Sequence, residues 1–528
     1  MKKIFSKIDK YLIYSVLSYL VFVSFFSYLI YSENGKNLIY ADAISRLDIA
    51  RKVIDNITPG LPQVGNVWLP LPQLLMLPFI WNTYLWHSGI AGYIMSGISF
   101  ILCGIFIYKA SFLITKSFLA SFFAVLIFSL NINILYLQTT AMSESIFLAS
   151  LAATIFFFLK WFHTKEKTAL MWSAVSVSAM TLIRYEGLAV LLPSIPLVAF
   201  YSFVSYKRRF KTAEGNTILY TVLACLGFGL WTLYLAIIFG NPLYWKSYYA
   251  TPQATGGATV AFTQAKPFIA AMWQYFTSFV WMIGIIPTIM GIAAIPIMLL
   301  VCLKRKSWDF LVLLMPFSIF LFMVFTLQRN TPIVQPSLNW NTLMSGTTSE
   351  GTGFNIRYGL LLLPWVAVLC SYLLIWKNKF IRPVMFLILV GIFGIQIYSY
   401  VVPTYTPIYK IPARIYDKPF AASVKWLQEN YDGGKILISA GGHEDQMFAT
   451  GFNYTTFIHE GTGKYWKESV DNPSRYAKWV VIDYGHNADN VARYMNREDI
   501  LEREYKLVYQ ENQLNIWKKY KAPYYEIK

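Results

Sequence analysis

Three carboxylates and three arginines in this sequence stand where they could do chemistry. Asp42 opens the stretch YADAISRLDIARK, and Arg46 follows one helical turn later. Glu144 lies in LQTTAMSES, a short connection between two apolar runs. Arg184 and Glu186 fall in TLIRYEGL, and Arg357 with Tyr358 in FNIRYGLLLLPW, each at the edge of an apolar run. A carboxylate in such a place can serve as general base towards a hydroxyl. The planar fork of arginine suits a phosphate, and two of them on separate segments would grip one from both sides. Trp68, in the Pro/Gly/Trp-rich segment Pro59–Pro78, would shield such chemistry from water.

Each residue also has a plainer role. Asp42 can be a helix N-cap, and Glu144 can favour the positive end of a helix dipole. Arg184 and Arg357 can snorkel to a membrane interface. Asp48 points away from Asp42, and Asp48, Arg51 and Lys52 are expected to face solvent or headgroups. Gly441-Gly442-His443-Glu444-Asp445 reads as a plain turn, and the scattered histidines His87, His163, His459 and His486 lack zinc spacing.

These residues need a membrane scaffold to hold them. The chain has 528 residues, 56% hydrophobic and only 14% charged, which places it among multi-span membrane proteins. Apolar runs near 11–31, 90–108, 118–137, 145–160, 169–183, 187–205, 217–239, 283–303, 310–328, 359–376 and 384–401 predict about eleven spans. The first run is too long for a signal-peptide core and is expected to stay as an anchor. The four cysteines all lie in apolar runs, which leaves no disulfide framework.

The net charge of +18 does not point to nucleic acid. With a cytoplasmic N-terminus, the cytoplasmic pieces carry 19 Lys/Arg against 4 acids, the outer loops 9 against 7, and residues 402–528 carry 17 against 16. The surplus is therefore a positive-inside signal. It places the chain in the cytoplasmic membrane with its C-terminal portion outside. The long connections 240–268 and 329–358 read as lids, and residues 269–282 as an interfacial helix. No internal repeat stands out. After a proline-rich link, Pro403–Pro412, apolar runs of strand length (Lys435–Ala440, Thr455–His459, Lys478–Tyr484), helical periods (Ala421–Asn430, Ala488–Leu501) and a closing hairpin predict a small α/β domain. The expected architecture is mainly α: a transmembrane domain over 1–401 with outer-face juxtamembrane helices, and an extracytoplasmic α/β domain over 402–528.

Taken together, ADAISRLDIARKVIDNITPGLPQVGNVWLPLPQLLMLPF, LQTTAMSESIF, TLIRYEGLAVLLP and NIRYGLLLLP, with GNPLYW, resemble the GT-C fold glycosyltransferases that use polyprenyl-phosphate sugars. The nearest group resembles protein O-mannosyltransferases, aminoarabinose transferases and rhizobial galacturonosyltransferases. The motifs span residues 40–365 and leave the C-terminal portion uncovered. The resemblance implies that Asp42 is a catalytic base and that Glu144 is a second acidic residue of the catalytic site. Arg46, Trp68, Gln73, Arg184, Glu186, Arg357 and Tyr358 then become substrate-binding positions. The group often carries histidine at the positions of Arg46 and Gln73, which this chain does not. No cofactor is implied outright, and a divalent metal stays open, with no metal ligands assigned. The implied reaction moves a sugar from a polyprenyl-phosphate donor to a hydroxyl of a lipid, glycan or protein acceptor, with inversion. A non-catalytic lipid-linked-glycan flippase or transporter, and a glycan polymerase or ligase of similar topology, are the alternatives.

Overall fold

The computed structural model describes residues 7–206, 209–249, 267–329, 356–376, 378, 380–401, 421–486, 488–495, 498–520, 523 and 525–527. Most of connections 240–268 and 329–358, and the Pro403–Pro412 link, lie outside the described residues. Contacts divide the chain into two units. The first comprises 1–37, 93–234 and 262–411, and the second 38–92, 235–261 and 412–528.

The first unit is helical. Across the described residues of both units, nine helices are long and apolar enough to cross a membrane, from Tyr11–Ser32 to Ile381–Tyr400. The chain is a multi-pass membrane protein. All eleven apolar runs fall on helices, but two of them are shorter. Lys167–Ile183 has 17 residues. The run 118–137 is split into Phe118–Ser129 and Ile132–Leu137. Asn131 causes the split: its side chain accepts from the backbone N–H groups of Asn133 and Ile134, capping a new helix. Its amide donates to the Met282 and Ile283 carbonyls at 2.9 and 3.1 Å, at the end of the Phe268–Ile283 helix. That helix covers the 269–282 segment for which a helix is expected.

The second unit contains a five-stranded sheet. Strands β1 (Lys435–Leu437), β2 (Phe457–Ile458), β3 (Ala477–Asp483), β4 (Tyr505–Glu511) and β5 (Leu514–Lys519) lie in the order β2-β1-β3-β5-β4. β1 pairs in parallel with β2 and β3, while the β4–β5 hairpin joins β3 antiparallel. Asn512 turns the hairpin at φ 54°, a conformation asparagine tolerates. Leu437, Ile458, Val480, Ile482, Val491 and Leu501 form the core, and Ile57 from the first half of the chain packs against it. Two expectations need correcting. Residues 441–445 are not a turn but part of the Ala440–Thr450 helix, kinked at His443. The helical period over 488–501 is two helices, Asn490–Tyr494 and Glu498–Glu504.

Candidate functional site

In the first unit, four charged side chains from three segments meet around Glu144. This residue starts the Glu144–Thr164 helix and is fully buried. The turn before it is buried too. Gln138 is clamped to Ser24, whose hydroxyl donates to Gln138 Oε1 at 2.8 Å, and the hydroxyls of Thr139 and Thr140 donate back to the Tyr136 and Leu137 carbonyls. Arg184 Nη1 donates to Glu144 Oε1 at 3.0 Å and to Ser143 Oγ at 3.1 Å, while Nη2 donates to Glu186 Oε1 at 2.9 Å. Arg357 Nε lies 3.1 Å from the same Glu144 oxygen. The Arg184 guanidinium stacks 4.4 Å over the Tyr358 ring, a contact that adds to the ion pairs.

Backbone packing brings the two arginines together. Each sits in an Arg-Tyr pair followed closely by a glycine that allows tight approach. A Cβ on Gly187 would lie 2.6 Å from the Met180 carbonyl carbon, and one on Gly359 only 2.3 Å from the Ser278 oxygen. Any side chain there would force the turns bearing Arg184 and Arg357 outward. The Tyr275 hydroxyl fastens the second turn by donating to the Tyr358 carbonyl at 3.0 Å.

Both arginines are buried, at 7% and 5% exposure, so the snorkelling alternative does not hold. Two carboxylates offset two guanidiniums, as buried charge requires. Among the described residues, Glu144 Oε2 and Arg184 Nε are buried with no hydrogen-bond partner. Buried polar atoms are normally satisfied, so an acceptor and a donor here remain available to a bound molecule.

In the second unit, Asp42 and Arg46 share one face of the Ala41–Lys52 helix. The N-cap is Tyr40, with no side-chain capping bond, so Asp42 is not the cap; it lies in the first turn, half-buried. The Arg46 guanidinium lies 4.7 Å over the Trp68 ring. Gln73, in the Leu71–Ile80 helix, is fully buried, and neither of its amide atoms has a hydrogen-bond partner among the described residues. Arg46, Trp68 and Gln73 thus belong to packed elements of this unit. Glu144, Arg184, Glu186, Arg357 and Tyr358 form the cluster of the first unit. Among the described residues, no three His, Cys, Asp or Glu side chains lie together as metal ligands.

The opposite face of the Ala41–Lys52 helix departs from expectation. Asp48, Arg51 and Lys52 are at most 9% exposed. Arg51 donates to the Ile80 and Trp81 carbonyls at 2.8 and 2.9 Å, closing the end of the Leu71–Ile80 helix, and pairs with Asp55 at 2.8 Å. Lys52 Nζ pairs with Glu444 at 2.9 Å. Asp48 accepts from the Trp86 indole at 3.2 Å. Burial, reinforced by Glu444, pushes the Asp48 carboxyl well above its usual range. Burial opposes the Lys52 ammonium, but Glu444 and Asp48 outweigh it and raise its pKa. Sequence reasoning missed the Lys52–Glu444 pair because its partners lie 392 residues apart. The one local sign was the Asp48–Lys52 pair, one turn apart, on the face away from Asp42.

No protein-family model matches the chain, and no curated protein matches it in sequence. Among solved structures, the fold is similar to GT-C fold enzymes. One is the archaeal oligosaccharyltransferase AglB from Archaeoglobus fulgidus, in complex with an inhibitory peptide and a dolichol-phosphate; the TM-score is 0.52 at 11% identity, over 90% of this chain and 70% of that one. An Archaeoglobus fulgidus oligosaccharyltransferase tethered with an acceptor peptide gives 0.50 at 11% identity, over 97% of this chain and 74% of that one. ArnT from Cupriavidus metallidurans bound to undecaprenyl phosphate covers 95% of this chain and 97% of its own, at 10% identity and a TM-score of 0.46. The GT-C fold expected from the sequence motifs is the fold observed.

Proposed function

We propose that this protein is an integral-membrane glycosyltransferase that moves a sugar from a polyprenyl phosphate to an acceptor hydroxyl, on the outer face of the cytoplasmic membrane. One observation carries the reading: a carboxylate and two arginines buried together at the edges of apolar helices, with Glu144 Oε2 and Arg184 Nε still available. The fold supports it, since AglB, which shares that fold, is an oligosaccharyltransferase whose structure holds a dolichol-phosphate.

In this reading Asp42 takes the proton from the acceptor hydroxyl. The hydroxyl oxygen bonds to the anomeric carbon as the bond from that carbon to the phosphate oxygen breaks. The electron pair leaves on the polyprenyl phosphate, and the single displacement inverts the anomeric centre. Arg184 and Arg357 donate to the departing phosphate, and Glu144 orders the two guanidiniums while its second oxygen accepts from a sugar hydroxyl.

Asp42→Asn decides the base. It removes no cap, because Tyr40 is the N-cap, so folding is expected to survive. Transfer from lipid-linked sugars extracted from the native membrane should fall by about 10²- to 10⁴-fold. Activity within a few-fold of wild type would remove Asp42 from the mechanism.

A further inference from the structure

The two faces of the Ala41–Lys52 helix have different work. At about 100° per residue, Asp42 and Arg46 lie within about 40° of each other, while Arg51, Asp48 and Lys52 are centred roughly opposite. The second face is spent on residues far along the chain. Lys52 reaches Glu444, and Arg51 Nη2 reaches Asn453 at 3.3 Å. Trp86, which holds Asp48, packs edge-on to Phe448 and Tyr454. Beyond the helix, the chain follows the edge strand β2. Asp55 accepts from the Thr455 N–H at 3.3 Å, Asn56 Oδ1 meets His459 Nε2 at 3.2 Å, and Thr58 and Gln63 both donate to the Gly461 carbonyl.

A small open α/β sheet usually offers its ligand crevice at the carboxyl ends of its parallel strands. Here that place is filled from within. Glu460, just after β2, accepts from the Ser439 hydroxyl and the Ala440 N–H at 2.7 Å each, and from Asn490 at 2.7 Å. A Cβ on Gly442 would lie 2.9 Å from His486 Nδ1. The β2 edge, a natural site for a further strand, is covered by residues 55–63. The domain therefore has its ordinary ligand crevice closed and one edge given to this chain's own early segment.

We propose that the C-terminal α/β domain acts as the positioning device of the Asp42 helix: Lys52 docked on Glu444, with Asp48 held by Trp86, sets the direction in which Asp42 and Arg46 are presented. Lys52, Asp48 and Glu444 are positioning residues and touch no substrate. The proposal rests on the reading of Asp42 as the base.

The test uses the full chain carrying Lys52→Met. Hydrogen exchange of the amides in 43–52 should quicken by about tenfold or more. Release of polyprenyl phosphate from lipid-linked sugars extracted from the native membrane should show kcat lowered about 10- to 100-fold, with KM within about twofold. In an Asp42→Asn background the substitution should cost nothing more, since both act through one group. Unchanged exchange, an unchanged kcat, or losses that multiply with Asp42→Asn would each overturn the proposal. If Lys52→Met does not fold, Glu444→Gln, nearly the same shape, carries the same comparison. A fully active Asp42→Asn would end the catalytic reading alone; the exchange result would still decide whether Glu444 anchors the helix.

Discussion

Arg184 and Arg357 close on the same oxygen: Glu144 Oε1 lies 3.0 Å from Arg184 Nη1 and 3.1 Å from Arg357 Nε. A single carboxylate oxygen therefore holds two guanidiniums from separate helical segments in register. Removing its charge should be felt twice. Glu144→Gln takes the negative charge from between two buried guanidiniums, and breaking a buried pair costs about 3–5 kcal/mol. Thermal unfolding in detergent should show that loss, together with loss of sugar transfer. Arg184→Lys would keep the charge but lose the fork that reaches Ser143, Glu144 and Glu186, and should also lower transfer.

Gly359→Ala tests how the second arginine is placed. The added methyl would sit 2.3 Å from the Ser278 oxygen, against backbone that cannot swing away. Overpacking of this kind costs about 1–3 kcal/mol. The turn should shift as a whole, so transfer should fall more than stability does. Gly391→Ala, where nothing lies within 4 Å of the new methyl, is the matched control and should be nearly silent.

How much of this could be read from the sequence differs between the units. The apolar runs marked every span-length helix, because bilayer thickness sets a length that composition must satisfy. Glu144, Arg184 and Arg357 stood out because charge beside an apolar run is rare. Their mutual pairing was not legible: it depends on Gly187 and Gly359 letting backbones touch, which no periodicity reports. For Asp48, Arg51 and Lys52 the local pattern pointed the wrong way. Charges on one side of a helix ordinarily mean water, and it takes residues 80–86 together with 444–461 to reveal that this side is covered.

His459 makes a prediction about acid. It is buried, its Nδ1 accepts from the Gly461 N–H, and burial with the Lys52 charge holds its pKa well below the ordinary value. The folded ring thus stays neutral where the unfolded ring takes a proton, below about pH 6.5. The unfolded state then binds more protons, so stability is full above about pH 6.5 and falls as the medium is acidified, by at most about 1.4 kcal/mol per pH unit. Melting curves between pH 7.5 and 5.5 should show this slope, and His459→Gln, which can still donate to Asn56, should flatten it.

Sidedness can be checked without any substrate. Lys211 and Lys464 are exposed. In a cysteine-free background, a cysteine at 464 should react with an impermeant thiol reagent in intact cells, and one at 211 only after the cells are opened. The reverse pattern would invert the chain in the membrane.

The Lys52–Glu444 pair also sets a timetable. Its partners are 392 residues apart, and at ordinary ribosomal speeds the second emerges about 20–80 s after the first. During that interval the face bearing Asp48, Lys52 and Trp86 has left the ribosome while most of its cover is still unmade. Completion of the last quarter of the chain thus becomes a checkpoint on the first. A nascent chain stalled before Glu444 would display uncovered charge and indole to the cell's quality-control proteases, long after its first anchor had entered the membrane.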